Sequence, residues 1–186
     1  MDLKADQKLT KTIVLVGMMG SGKSSIGRRL AETLGVAFKD ADTEIEEAAA
    51  MSIPEIFSTH GEAYFRDGER RVIERLLGDA PHILATGGGA FCNETTRHFI
   101  KQKAFSIWLD VELDELVRRV NKRPEKRPLL KEGNPRDILK KLLVERETDY
   151  RQADITISSL GDSHETTIQA IIAELTKCGI LGAKGA

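Results

Sequence analysis

The sequence predicts an α/β fold built on a mostly parallel sheet of five strands. Short apolar runs alternate with amphipathic helical segments along the chain. Several of these runs end in glycine or aspartate, where the strands of such sheets meet their ligands. With 186 residues, of which 40% are hydrophobic, the chain is expected to form one domain over residues 1–186.

The first half of the chain begins with the pattern strand, helix, strand. TIVLVG predicts a buried strand, and SSIGRRLAETLG carries Ile26, Leu30 and Leu34 at helical spacing before a glycine stop. VAFKD predicts a second strand, and TEIEEAAAM predicts a helix. Ser52 and Glu55 form a capping-box pattern that opens a new helix, and EAYFRDGERRVIERLL predicts a longer one.

The second half continues the alternation. HILATGGGA predicts a strand that enters a glycine-rich turn, AFSIWLD another strand, and VELDELVRRV a helix. NKRPEKRPLLKEGNP has three prolines and no apolar periodicity, so it predicts a loop. PRDILKKLLVERETDYRQA and SHETTIQAIIAELTKCG predict helices on either side of a last strand, DITISS. The tail ILGAKGA is expected to be mobile.

Composition argues against several classes of partner. The net charge of -1 provides no global attraction for nucleic acid or an anionic membrane. No apolar run approaches the ~18 residues of a membrane span, and MDLKADQKLT lacks the apolar core of a secretion signal. Cys92 and Cys178 lack metal-site spacing and are expected to be free thiols. A cytoplasmic protein is therefore expected.

The segment GMMGSGKS, from Gly17 to Ser24, matches the phosphate-loop pattern G-x-x-x-x-G-K-[ST] without a mismatch. Its glycines let the backbone curl so that successive N–H groups face phosphate oxygens, and the following helix adds its positive end. Lys23 brings a cation to the β- and γ-phosphates, and Ser24 can bind Mg²⁺. The loop predicts a nucleoside triphosphate site with magnesium.

Two other classes of phosphate-loop protein are disfavoured. A GTP-driven switch needs an Asp-x-x-Gly segment, which the sequence lacks. It also needs a guanine-binding Asn-Lys-x-Asp segment, and NKRP at Asn121 has proline in place of the aspartate. A motor ATPase usually places an acid after an apolar strand, whereas HILAT continues into three glycines. A kinase that acts on a small acceptor is favoured.

Such a kinase needs an acceptor pocket beside the γ-phosphate, and the sequence offers its parts. Asp40 and Asp42 follow a strand in FKDAD, so one can face a metal and the other an acceptor. The backbone of GGGA at Gly87–Ala90 can approach a ligand closely. Arg66 and Arg146 carry planar guanidinium groups that match a carboxylate. Together these residues would suit a small acid that carries hydroxyl groups.

The segment from Arg118 to Lys131 contains seven Lys or Arg residues and one acid, Glu125. A solvated loop and a nucleic-acid patch are two interpretations, although the segment has no aromatic residues for stacking on bases. A lid whose arginine closes over the transferring phosphate is the third.

Six motifs, taken in order, resemble those of the shikimate kinase family: GMMGSGKSSIGRRLA, FKDAD, GEAYFRDGE, TGGGAF, RPLL and RETDY. The resemblance covers nearly the whole chain, whereas gluconate kinases and nucleoside monophosphate kinases resemble the first motif but lack the later set. It implies a three-layer αβα fold with a five-stranded parallel sheet and a phosphate loop. It also implies a helical substrate-binding region at about 43–78 and a mobile lid at about 121–134.

The activity implied by the resemblance is phosphorylation of the 3-hydroxyl of shikimate by ATP, on the path to chorismate and the aromatic amino acids. The implied partners are ATP, Mg²⁺ and shikimate, for a monomer that binds neither nucleic acid nor membrane. Asp42 is expected to meet the shikimate hydroxyls. Arg66 and Arg146 are expected to grip its carboxylate, with Gly88 and Gly89 lining the pocket.

The resemblance also assigns the nucleotide side. Catalysis is expected to involve Asp42, Lys23 and the lid residue Arg127, while Ser24 binds Mg²⁺ and Asp40 supports it through water. ITISSLGDSHE contains no arginine after the last strand, where some members place one beside adenine, so Arg119 is the expected stacking partner. The full set of expected ATP contacts is Gly20, Ser21, Gly22, Lys23, Ser24, Ser25, Arg119 and Arg127.

Overall fold

The computed structural model describes residues 7–122, 133–159 and 163–183. The strands are β1 (Gln7–Leu9), β2 (Thr12–Val16), β3 (Phe38–Asp40), β4 (Ile83–Ala85), β5 (Ala104–Val111), β6 (Ile155–Ser159) and β7 (Leu181–Ala183). The helices are α1 (Lys23–Leu34), α2 (Ala41–Ala49), α3 (Ile53–Leu76), α4 (Glu94–Lys103), α5 (Leu113–Val120), α6 (Pro135–Tyr150) and α7 (His164–Lys177).

The predicted sheet is confirmed: five parallel strands lie in the order β3-β4-β2-β5-β6. Alternation along β2 explains the three layers, since successive side chains point to opposite faces. Ile13 and Leu15 pack into one apolar cluster with residues of α1 and α7. Val14 and Val16 pack into the other, with residues of α2 to α6. The αβα arrangement follows from these two cores.

A second, two-stranded sheet corrects the prediction that the whole tail is mobile. β1 and β7 pair antiparallel, with Leu9 opposite Leu181, and Thr10 donates its N–H to the carbonyl of Ile180. Leu9 and Leu181 are both buried in the cluster that contains α1 and α7. Burial of these apolar side chains stabilises the pairing of the two strands. The sequence of the short, glycine-containing tail does not indicate this burial.

Helix α3 confirms the capping box: the Ser52 hydroxyl accepts the N–H of Glu55, whose carboxylate accepts the N–H of Ser52. The two helical segments expected after Ser52 form one element, kinked where Gly61 adopts φ 80° and ψ 173°. Helix α4 was not predicted. Its sequence, ETTRHFIKQK, has few apolar residues, and Asn93 caps it by accepting the N–H of Thr96.

Across the described ranges, no helix is long and apolar enough to cross a membrane. Cys92 and Cys178 are free thiols, as expected.

Candidate active site

Three adjacent strands deliver the predicted site residues to one edge of the sheet. β4 lies between β3 and β2, with Ala85 level with Asp40 on one side and Leu15 on the other. The carboxyl ends of parallel strands share an edge. The phosphate loop after β2, the aspartates after β3 and the glycine turn after β4 therefore meet there.

The phosphate loop has a backbone that requires glycine at specific positions. Gly20 and Gly22 have φ of 83° and 93°, in the left-handed region. A Cβ on Gly17 would lie only 2.8 Å from the carbonyl oxygen of Leu109. Gly22 is the N-cap of α1 and provides no side-chain cap, so the N-terminal N–H groups of the helix remain suited to an anion. Ser25 is exposed on the first turn.

Lys23 folds over this loop and is buried there. Its ammonium donates to the carbonyl oxygens of Gly17 and Met18, both at 2.8 Å, and to the Ser21 hydroxyl at 3.4 Å. The positive charge thus lies within the curl of the backbone, where phosphate oxygens are expected.

Ser24 and Asp40 meet at the start of α1. The Ser24 hydroxyl donates to one carboxylate oxygen of Asp40 at 2.5 Å. The other oxygen accepts the backbone N–H of Asp42 at 3.1 Å and caps α2. The cap fixes the Asp40 carboxylate at the start of α2, and Asp42 is the second residue of that helix.

Asp42 is an exposed residue whose carboxylate is nevertheless surrounded by many protein atoms. Burial, together with the negative charges of Asp40 and Glu69, raises the pKa of the carboxyl to about 6, against the opposing effect of Lys23. A Cβ on Gly87 would lie 3.2 Å from its Oδ1, so the carboxylate lies against the glycine turn.

The two predicted arginines converge on the same turn from different helices. A Cβ on Gly89 would lie 2.8 Å from both terminal nitrogens of Arg66, on α3. A Cβ on Gly88 would lie 3.4 Å from Nη1 of Arg146, on α6, and 3.3 Å from the backbone nitrogen of Met19 in the phosphate loop. Absence of side chains on the turn lets both guanidinium groups lie directly against its backbone.

Glu69 is a site residue for which sequence reasoning assigned no role. It is 2% exposed, and its Oε2 accepts from Nη1 of Arg66 at 2.8 Å. Its Oε1 has no hydrogen-bond partner among the described residues and would lie 2.7 Å from a Cβ on Gly87. Burial raises the pKa of Glu69, while Arg66 and Arg146 oppose that rise. Glu69 follows Arg66 by three residues, so both lie on one face of the helix, and this spacing is the feature of the sequence that indicates the pair.

Arg119 lies behind the phosphate loop. Its Nη1 donates to the carbonyl oxygens of Gly20 and Ser21 at 3.4 and 3.2 Å, and its Nε donates to Glu115 at 2.5 Å. Arg127 and most of the expected lid lie outside the described residues.

Comparison with known proteins identifies the family. The family model described as shikimate kinase matches residues 19–176. A shikimate kinase of Rhodopseudomonas palustris is 56% identical over 165 residues, which covers 89% of this chain and 81% of the relative. One of Novosphingobium aromaticivorans is 52% identical over 170 residues, which covers 89% and 88%.

Solved structures agree. A shikimate kinase from Acinetobacter baumannii in complex with shikimate superposes with a TM-score of 0.87 at 37% identity, covering 91% of this chain and 95% of that one. A gluconokinase from Sinorhizobium meliloti, with a TM-score of 0.63 and 15% identity over 92% and 94% of the two chains, shares the fold alone. A matched family model over most of the length, together with relatives above half identity, shows that the chain belongs to the shikimate kinase family.

Proposed function

We propose that this protein transfers the γ-phosphate of ATP to the 3-hydroxyl of shikimate, giving shikimate 3-phosphate and ADP. The observation that carries the proposal is the convergence of Arg66, Arg146 and Asp42 on a glycine turn beside the phosphate loop. Two guanidinium forks suit one carboxylate, and an aspartate suits hydroxyl groups. The relative from Acinetobacter baumannii holds an acid of this kind, shikimate.

In the proposed reaction, Asp42 accepts the proton of the acceptor hydroxyl as that oxygen attacks the γ-phosphorus. The bond from phosphorus to the β–γ bridging oxygen breaks, and ADP leaves with the electron pair. A carboxyl pKa of about 6 leaves Asp42 ionised at neutral pH yet basic enough to take a proton. Lys23 stabilises charge on the transferring group, which matters most in a loose transition state.

We propose Ser24 as the direct Mg²⁺ ligand, supported by Asp40 through water. A hydroxyl and a carboxylate oxygen 2.5 Å apart are hard oxygen donors at the edge of the phosphate loop. Mg²⁺ in such sites uses one or two protein oxygens together with phosphates. While the Ser24 proton points to Asp40, its oxygen lone pairs remain available. The ion would supply charge neutralisation at the β- and γ-phosphates.

We also propose roles for residues on the nucleotide side and for two longer segments. Arg119 stacks on adenine, Arg127 contacts the ATP phosphates from a lid at about 121–134, and the region at about 43–78 binds substrate. We further propose a single domain that acts as a cytoplasmic monomer without nucleic-acid or membrane partners. Support for Arg119 comes from its contact with the phosphate loop.

The experiment is an acceptor panel, in which ADP release is measured with shikimate, gluconate, quinate and nucleoside monophosphates. Shikimate should give by far the highest kcat/KM. Gluconate or a nucleotide as the preferred acceptor would overturn the proposal.

A further inference from the structure

The segment from Gly88 to Cys92 is held at its C-terminal end by Arg97, which lies on α4 away from the residues assigned to the site. Its Nη1 donates to the carbonyl oxygens of Phe91 and Cys92, at 2.7 and 3.3 Å. The same nitrogen lies 3.1 Å from a carboxylate oxygen of Asp149, on α6. The Arg97 side chain is only 12% exposed, so water screens this pair less than it screens a surface pair.

The residue after Asp149 fixes the other end of the same turn. Tyr150 is fully buried, and its hydroxyl donates to the carbonyl oxygen of Gly88. The centroid of its ring lies 5.8 Å from the ring centroid of Trp108, on β5. Asp149 and Tyr150 thus connect the last turn of α6 to both ends of the segment from Gly88 to Cys92. We call Arg97, Asp149 and Tyr150 the α6 clamp.

Arg146 lies one helical turn before the clamp. Because α6 is tied to the turn at two points, the helix has little freedom to rotate or slide, and the reach of Arg146 toward Gly88 is set by that register. The pKa of Cys92, at the end of the segment, reflects the nearby charges of Arg146 and Asp149. Burial raises the pKa of the Cys92 thiol to about 11, with Arg146 opposing the rise and Asp149 adding to it.

We propose that Arg97 and Asp149 are positioning residues that lock α6 onto the glycine turn and so determine where Arg146 meets the carboxylate of the acceptor. Neither residue is assigned a contact with substrate; each acts through the turn or through Arg146. The role toward the acceptor rests on the proposed function, whereas the tie between helix and turn does not.

The kinetic test compares Asp149→Asn and Arg97→Met with a matched control, Glu147→Gln. Glu147 is on the same helix and pairs with Arg151 at 2.5 Å on the solvent side. Each clamp variant should raise the KM for shikimate by about 10- to 100-fold, the scale of a misplaced positioning contact. The KM for ATP should not change, and the control should behave as wild type. The double variant should be no worse than the worse single variant, since both break one link.

A second measurement needs no substrate. The N–H groups of Ala90 and Cys92 donate within the turn, to the carbonyl oxygens of Gly87 and Gly89. In Asp149→Asn, hydrogen exchange at these two amides should be faster than in wild type, while amides of β2 keep wild-type protection. If Arg97→Met does not fold, Arg97→Gln, which removes the charge but keeps a polar end group, takes its place.

Equal increases in the KM for ATP and for shikimate, or a lowered melting temperature with unchanged shikimate KM, would mean that the pair is merely structural. Unchanged exchange at Ala90 and Cys92 would overturn the clamp itself. If wild type fails to phosphorylate shikimate, the proposed function fails, and the exchange measurement still decides whether the clamp exists.

Discussion

Three carboxylates, Asp40, Asp42 and Glu69, crowd the region between the phosphate loop and the glycine turn. Like charges and burial raise the pKa of Asp42 to about 6 and raise that of Glu69 as well. The positive charge of Lys23 opposes the rise in the pKa of Asp42, and that of Arg66 opposes the rise in the pKa of Glu69. Groups with perturbed pKa values cluster at functional sites, and these carboxylates follow that pattern.

Asp42→Asn keeps the size of the side chain but cannot take a proton. Its kcat should fall by about 10²–10⁴-fold, the usual contribution of a general base. The wild-type kcat/KM should fall as pH decreases through about 6, because the carboxyl becomes protonated. Measured pH profiles should show this acidic limb in wild type and not in the variant. An unchanged limb in Asp42→Asn would assign it to another group.

Asp40→Asn should respond to magnesium, because Asp40 contacts Ser24 rather than the acceptor side. Its activity should recover partly when Mg²⁺ is raised, whereas that of Asp42→Asn should not. A magnesium titration of kcat in both variants makes the comparison. Rescue of Asp42→Asn alone would mean that the two aspartates have exchanged roles.

Arg66→Ala and Arg146→Ala should each weaken shikimate binding by roughly 10- to 150-fold, the equivalent of a charge-assisted bond worth about 1.5–3 kcal/mol. ATP affinity should stay close to wild type. Arg71→Ala is the control on α3, since Arg71 is exposed and pairs only with Asp67 among the described residues. Equilibrium binding of each ligand checks this, and a loss confined to ATP would assign the arginines to the nucleotide.

For individual helices and loops, sequence patterns are most informative where local interactions are strong. The glycines of the phosphate loop have backbone conformations that few other residues allow, and the capping box at Ser52 makes specific hydrogen bonds. Helix α4 was missed because its apolar signal is weak and its stability depends on packing. Glu69 was missed because its burial depends on the glycine turn, some twenty residues further along the chain.

Helix α3 depends on glycine at its kink. Gly61 lies at φ 80° and ψ 173°, a conformation open essentially to glycine alone, so Gly61→Ala should cost about 1–3 kcal/mol of unfolding free energy. Gly68→Ala is the control in the helical part, where a Cβ meets nothing within 4 Å and should stabilise by about 0.5–1 kcal/mol. Denaturant unfolding measures both. Equal effects in the two variants would mean that the kink imposes no conformational demand.

The strand order of the sheet decides which predicted residues meet. The sequence indicated which strands end in functional residues but not that β3, β4 and β2 are neighbours, because that order arises from packing of the two cores. The lid assignment, including Arg127, stays a prediction.

The pairing of β1 with β7 has a consequence for the connectivity of the chain. Gln7 and Ala183 are paired neighbours, so a short glycine-rich peptide could replace residues 1–6 and 184–186 and join the two strands covalently. New ends could then be opened at the exposed residues 78–81, at the opposite edge of the sheet from the phosphate loop. We expect this circular permutant to unfold cooperatively and to keep the kcat of the parent, as measured by denaturation and ADP release. A permutant that folds but is inactive would show that the order of the segments along the chain, and not only their contacts, matters to the site.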